Sequence, residues 1–245
     1  MAARRLGAEV TLVSRLPPEF DLSSLEGVCV QGQPTDRAAR YANSYDSRGN
    51  RRQLLLAPGA PLARPNQLPV YDAVILAPAY HELDAWHGPH PGRFTAVALQ
   101  GALRAVGADD TVLAHPDPVG QSARFHSVDY LFLSTEDTPS AESFSRECSI
   151  DGPAVVLTGG AAGASLFRAG HLDCEITAFA ANQCDPTGAG DCFLAAFVVR
   201  LLETGDEIEA GRFAAAAGAL AVEKSGVQAI PERATIERRL LEAGT

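Results

Sequence analysis

The chain has 245 residues, a formal net charge of −10 and an apolar fraction of 46%. This length buries a real core and fits one large domain, or one domain with a small appendage. The acidic balance argues against a nucleic-acid surface, because phosphate backbones bind clustered cations. Lys224 is the only lysine, and Glu223 precedes it where a P-loop needs glycine. Any phosphate must therefore be held by backbone N–H groups or arginine.

The N-terminal quarter of the chain predicts four strands, at residues 9–14, 28–31, 40–45 and 52–57. The last two flank the polar segment 46–50, which is typical of a turn. We expect them to form a small hairpin over about residues 38–58. Its strands are more polar than the others, so it should lie outside the main core.

Further apolar runs predict strands separated by helix-length segments, at residues 72–76, 95–99, 130–134 and 154–158. Such alternation is typical of a parallel sheet covered by helices. A short strand is predicted at 175–179, and helices at 192–202, 207–224 and 232–242. We therefore expect a single α/β domain over residues 1–245, with a mostly parallel central sheet, helices on both faces and the small β hairpin.

The segment 185–191, Asp-Pro-Thr-Gly-Ala-Gly-Asp, lies between the short strand and the apolar helix. Gly188, Ala189 and Gly190 would leave the first N–H groups of that helix open to an anion, which the helix dipole also favours. Asp191 would stand beside the anion, where a carboxylate suits taking a proton from an attacking hydroxyl. In the alternative, Asp191 is only the N-cap of a helix that follows a glycine turn.

Residues 185–193 have the pattern Asp-x-Thr-Gly-Ala-Gly-Asp-x-Phe, which resembles the C-terminal signature of the ribokinase-like (PfkB) family of sugar and nucleoside kinases. The resemblance implies a kinase that uses ATP and Mg²⁺, with Asp191 as the base and the preceding N–H groups binding the transferring oxygens. Asp185 and Thr187 stand where the family often binds K⁺. Ordinary turn chemistry is the alternative for both residues.

Two more segments resemble the nucleotide side of the family. Residues 158–163 are similar to its Thr-x-Gly-x-x-Gly turn, which implies four nucleotide-binding residues: Thr158, Gly159, Gly160 and Gly163. Residues 134–137 replace the family's Asn-x-x-Glu, which helps to hold magnesium and phosphate through water. Ser134 and Asp137 keep part of that polarity, so Asp137 is the candidate metal contact.

Two further segments resemble the acceptor-binding side of the family. Residues 41–53 resemble the lid strands that cover the sugar, and residues 100–104 are similar to a Gln-Gly-x-x-Arg segment of one branch. Asn43, Gln100 and Arg104 are thus the implied substrate contacts, for a cyclitol or sugar first, and otherwise a polyol or a nucleoside. In the alternative, Asn43 and Arg52 belong to a solvated edge ribbon and Gln100 and Arg104 have no such role.

The resemblance begins at the helix at residues 2–7, whereas family members start with a strand that carries an acidic residue, followed by Gly-Gly. We expect an N-terminally short kinase that is homodimeric or marginally stable. The alternatives are a non-catalytic remnant that binds nucleotide or sugar, and a nucleoside kinase. The five scattered cysteines indicate reduced thiols in the cytoplasm, and we expect neither a membrane span nor a signal peptide.

A polar cluster at residues 81–90 resembles a metal site but lacks its spacing. Ala85 occupies the second histidine position of H-E-x-x-H, and two prolines and a glycine indicate a loop. We therefore predict a surface loop. The residues concerned are His81, Glu82, Asp84, His87 and His90.

Overall fold

The computed structural model describes residues 1–45, 51–65, 67–86 and 90–244. Its helices are α1 (Ala2–Arg5), α2 (Pro118–Ser122), α3 (Ala141–Cys148), α4 (Ala189–Thr204), α5 (Glu207–Ala221) and α6 (Arg233–Ala243). Its strands are β1 (Thr11–Leu16), β2 (Cys29–Pro34), β3 (Arg40–Tyr45), β4 (Arg51–Ala57), β5 (Val74–Leu76), β6 (Thr95–Ala98), β7 (Arg104–Val106), β8 (Val112–Ala114), β9 (Tyr130–Ser134), β10 (Ala154–Thr158), β11 (Ala164–Arg168) and β12 (His171–Ile176).

The central sheet has six strands in the order β12-β11-β10-β9-β6-β5. The four strands from β10 to β5 are parallel, and β11 and β12 add an antiparallel hairpin at one edge. Ala98 of β6 pairs with Phe132 of β9, and Thr158 of β10 pairs with Ser134. The carboxyl ends of these strands therefore lie along one edge, where ligands collect in open α/β sheets.

Alternate residues of the inner strands point to opposite faces, and each face has its own apolar core. On one face Val156 and Phe132 pack with Phe197 of α4 and Phe213 of α5. On the other face Val155 of β10 and Leu131 of β9 pack with Phe144 of α3. The predicted α/β class, with helices on both faces of a mostly parallel sheet, is confirmed.

Three two-stranded sheets lie beside the central one: a parallel pair β1–β2 and the antiparallel hairpins β3–β4 and β7–β8. The two hairpins are joined, because Arg52 of β4 donates to Asp109 and Thr111, and Leu54 forms a bridge with Thr111. The turn predicted at 46–50 lies outside the described residues. The lid role of β3–β4 stays a prediction.

At the hairpin edge of the sheet the strands differ from those predicted. The strand predicted at residues 175–179 corresponds to β12, which begins at His171 and ends at Ile176. Strand β11 was not predicted. The β11–β12 turn contains Ala169 and Gly170 with φ values of 50° and 79°. A tight hairpin turn of this kind usually carries Asn-Gly or Asp-Gly, because alanine rarely adopts positive φ. The turn therefore had no recognisable sequence signal.

Two further features differ from the expectation. β7 and β8 occupy part of a connection that was expected to be helical. The described part of the β5–β6 connection contains no helix. Among the described residues, no helix combines the length and the hydropathy needed to cross a bilayer.

Replacing Phe197 with alanine should lower the free energy of unfolding by about 3–5 kcal/mol. Its side chain is 0% exposed and its ring centroid lies 5.3 Å from that of Phe132, so truncation leaves a cavity. Leu202→Ala on the same helix is the control, because Leu202 is 47% exposed and should change stability by about 0.5 kcal/mol or less. Denaturant unfolding measures both, and equal losses would contradict this packing.

Candidate active site

The turn before α4 is built by its own side chains. Oδ1 of Asp185 accepts a hydrogen bond from the N–H of Thr187 at 2.9 Å, and this bond holds the pKa of Asp185 below its usual value. Gly188 then takes a φ of 82°, a left-handed conformation that glycine adopts without strain, and the helix begins at Ala189. The turn chemistry considered as an alternative for Asp185 and Thr187 is present. A role in binding K⁺ or Mg²⁺ stays a prediction.

The N-terminus of α4 presents free hydrogen-bond donors. Within the part of the chain that the structure describes, the N–H groups of Gly188, Gly190 and Asp191 have no acceptor. The N–H of Ala189 donates to the carbonyl of Pro186 at 3.2 Å, so it is engaged, contrary to the expectation. A Cβ built on Gly188 or Gly190 would meet no atom within 4 Å. This open space beside free N–H groups fits a phosphate group.

Asp191 lies in the first turn of α4 and does not cap it, since the N-cap is Gly188 and no side chain makes a capping bond there. Asp191 is accessible to solvent although protein surrounds it on most sides. This partial loss of hydration raises the pKa of its carboxyl, and the positive charge of Arg104 opposes the rise. The carboxylate is thus accessible and close to a cation.

The loops after β6 and β9 bring three predicted residues to the same place. Gln100 donates from Nε2 to Oδ1 of Asp137 at 3.1 Å, and the N–H of Ser134 donates to Oδ2 at 2.7 Å. Burial raises the pKa of Asp137, while these two hydrogen bonds and the charge of Arg104 act against the rise. Arg104 therefore acts electrostatically on both Asp137 and Asp191, which lie on different segments.

The predicted nucleotide turn is a tight loop. Thr158 donates from Oγ1 to the carbonyl of Leu133 at 3.2 Å, and the N–H of Gly159 donates to the carbonyl of Gly163 at 2.7 Å. Gly163 has a φ of 93°, and a Cβ there would lie 2.2 Å from the carbonyl oxygen of Ile176. Gly163 is therefore required by the fold. A Cβ on Gly160 would meet open space, and the contacts of this turn with a nucleotide stay a prediction.

Asn43, the third predicted substrate contact, does not join Gln100 and Arg104. It is exposed on β3, and its Oδ1 accepts a hydrogen bond from Gln53 across the hairpin at 2.8 Å. Tyr41, two residues earlier and so on the same strand face, is the residue that sequence reasoning missed. The guanidinium carbon of Arg104 lies 4.8 Å from the centre of its ring. Tyr41 lies two residues from Asn43 in a predicted strand, and this spacing is the sequence signal that could have identified it.

The described part of the polar cluster, residues 81–86, is hydrogen-bonded within its own loop, which begins before it. Glu82 accepts from the N–H groups of Ala79 and Tyr80, and Nδ1 of His81 lies 3.1 Å from Asp84. Across the described ranges, no three His, Cys, Asp or Glu residues are grouped to hold a metal ion by themselves. His87 lies outside the described residues.

A surface cavity of about 410 Å³ lies elsewhere, between the end of α5 and α6. Its lining includes Arg5, Lys224 and Arg239, and none of the predicted site residues. The turn before α4 instead opens to solvent, because Gly190 and Asp191 are exposed. We therefore locate the candidate site by its chemistry, at the carboxyl edge of the sheet.

The fold and this edge define an α/β protein of the ribokinase type. The pfkB family carbohydrate kinase model matches residues 142–234. A solved pyrophosphate-dependent kinase in the ribokinase family, complexed with a pyrophosphate analog and myo-inositol, superposes with a TM-score of 0.74 at 19% identity, covering 97% of this chain and 88% of that one. Residues 142–234 are thus similar to the pfkB family, and the chain shares the fold of solved ribokinase-family structures.

Two sequence relatives are similar over shorter stretches. Ribokinase from Arabidopsis thaliana is 38% identical over 88 residues, which are 35% of this chain and 23% of that protein. Inositol 3-kinase from Zea mays is 32% identical over 148 residues, which are 59% of this chain and 35% of that protein. The chain thus covers about a third or less of the length of these relatives.

Gly190→Ala tests whether the open space before α4 holds phosphate. The added methyl group meets no protein atom within 4 Å, and alanine favours a helix over glycine by about 1 kcal/mol, so the melting temperature should stay or rise. The same methyl group would enter the position of the transferred phosphoryl group, so Kd for a non-hydrolysable Mg·ATP analogue should rise at least ~10-fold, a cost of about 1.4 kcal/mol. Calorimetric titration measures it, and an unchanged Kd would exclude this space as the phosphate site.

Proposed function

We propose that the protein is a phosphotransferase that transfers the terminal phosphoryl group of ATP to a hydroxyl of a small sugar, cyclitol or polyol. One observation carries the proposal. An accessible carboxylate with a raised pKa, Asp191, stands at a helix N-terminus whose free N–H groups, on Gly188 and Gly190, face open space. A base beside preorganised donors is what phosphoryl transfer to a hydroxyl needs.

We assign the following roles. Asp191 accepts the proton of the acceptor hydroxyl as its oxygen attacks the terminal phosphorus, and the bond to the leaving nucleoside diphosphate breaks. The free N–H groups hold the equatorial oxygens of the phosphoryl group. Mg²⁺, when bound with the nucleotide, neutralises its phosphates, and Asp137 and Asp185 are the carboxylates we assign to it. Asp185 and Thr187 also fit K⁺, and the 158–163 turn contacts the nucleotide.

For the acceptor we favour a cyclitol. Gln100 and Arg104 lie at the same strand edge as Asp137, and their donors suit hydroxyl groups. The relative from Zea mays is named an inositol 3-kinase, and the superposed kinase was solved with myo-inositol. The homodimer and the cytoplasm, where ATP and reduced thiols occur together, stay predictions.

Asp191→Asn should lower kcat by about 10²- to 10⁴-fold, because the amide cannot accept the proton, while the melting temperature stays within a few degrees. Asp151→Asn, in an exposed loop, is the matched control and should behave as wild type. The assay measures phosphorylated product with myo-inositol, ribose, fructose and a nucleoside as acceptors, and with ATP or pyrophosphate as donors.

Full turnover by a folded Asp191→Asn variant would remove Asp191 from the reaction. If wild type binds Mg·ADP but phosphorylates none of the acceptors, the non-catalytic alternative is correct. A product formed only from the nucleoside would replace the cyclitol assignment with nucleoside phosphorylation.

The pH dependence of kcat/KM gives a second test. Because the pKa of Asp191 is raised, activity should fall in acid at a higher pH than for an ordinary aspartate. Arg104→Met removes the charge that opposes this rise, so the acidic limb should move to still higher pH. Arg104→Lys keeps the charge and should leave the limb near its wild-type position. A limb that moves to lower pH in Arg104→Met would contradict the assignment.

A further inference from the structure

The residues 77–86, which follow β5, connect the hairpin to Arg104. The carbonyl oxygen of Ala79 accepts two hydrogen bonds, from the hydroxyl of Tyr41 at 2.7 Å and from Nη1 of Arg104 at 2.8 Å. Gly101 packs against the same loop so closely that a Cβ there would lie 2.0 Å from the carbonyl oxygen of Pro78. One end of the Arg104 side chain is thus fixed by this loop.

The main chain at Arg104 is held by the same loop, through His81. Nε2 of His81 lies 2.8 Å from the carbonyl oxygen of Arg104. A carbonyl oxygen only accepts, so Nε2 carries the proton and donates. On the other side of the ring, Nδ1 lies 3.1 Å from Oδ2 of Asp84, and Oδ1 of Asp84 lies 2.8 Å from Nη1 of Arg124. The ring therefore lies between the carbonyl of Arg104 and a carboxylate whose own position is fixed by Arg124.

The backbone of His81 has a strained conformation. Its φ is 55°, a left-handed value that a residue with a Cβ adopts at about 1–3 kcal/mol. Glycine would remove this strain, yet glycine would also remove the only contact described to the carbonyl of Arg104 besides the ladder of β7 and β8. His81 thus combines a strained backbone with a contact to Arg104, whose positive charge acts on Asp137 and Asp191.

We propose that His81 is a positioning residue for phosphoryl transfer. Its ring fixes the main chain of Arg104, and the Ala79 carbonyl holds the guanidinium of Arg104 against Tyr41. Arg104 lies four residues after Gln100, which binds Asp137. His81 does not touch the acceptor; it acts through Arg104. The effect on turnover rests on the proposed function, whereas the effect on the orientation of Arg104 does not.

His81→Gly separates positioning from folding. It relieves the strained φ and removes the ring, so the melting temperature should stay or rise. Ala169→Gly is the matched control, since Ala169 also has positive φ, of 50°, but lies in the β11–β12 turn. We expect kcat/KM for the acceptor to fall about 10- to 100-fold in His81→Gly, with KM for the nucleotide unchanged, and no loss in Ala169→Gly. Wild-type kcat/KM in a folded His81→Gly variant would overturn the proposal.

A double-mutant cycle with Arg104→Met tests the route of the effect. If His81 acts only through Arg104, adding His81→Gly to Arg104→Met should cause no further loss in kcat/KM. Losses that multiply would show that His81 acts by another route and would overturn the proposal.

The third readout is independent of activity. The Tyr41 ring should shift the Nε–Hε resonance of Arg104 upfield in a ¹H–¹⁵N spectrum, and Arg104→Lys identifies that resonance by its disappearance. In His81→Gly it should move toward the position of a free arginine, and in Ala169→Gly it should not move. An unmoved resonance in His81→Gly overturns the positioning role. A moved resonance in a chain without Asp191-dependent turnover would support positioning and refute the proposed function.

Discussion

The candidate site depends on one guanidinium, that of Arg104, whose positive charge acts on two carboxylates of separate segments, Asp137 and Asp191. Burial alone raises the pKa of both Asp137 and Asp191, and a protonated Asp191 accepts no proton. The positive charge of Arg104 opposes this rise in both cases. The contacts that fix Arg104, including the Ala79 carbonyl and the Tyr41 ring, therefore also influence the pKa of the proposed base.

The parallel sheet explains why residues far apart in sequence meet there. Gln100 follows β6 and Asp137 follows β9, and these strands pair side by side in the same direction. Their connecting loops therefore begin at one edge, and a single hydrogen bond joins them. Asp191 lies in the first turn of α4, whose residues from Cys192 to Val199 are buried in the core. The core therefore fixes the position of the helix that carries Asp191.

Sequence patterns predicted the inner strands and the long helices because burial gives them uninterrupted apolar runs; β9 and β10 begin and end at the predicted residues. The Gly-rich turn before α4 was recognisable because its chemistry is local. Positions set by tertiary contacts were not. Nothing in the sequence near His81 indicates its positive φ or its contact with Arg104, since both depend on loops that come together only in the folded sheet. Likewise, the partner of Asn43 is fixed by hairpin register.

The separation of α4 from the strand-end loops has a consequence for how an enzyme with the proposed function would diverge. The proposed transfer groups lie on a short turn and a helix whose sides pack in the core, where substitutions are costly. The proposed acceptor contacts lie in the loops around Arg104 and in a hairpin outside the central sheet. Under the proposed function, selection on these outer segments would change the preferred acceptor while the transfer apparatus is inherited intact.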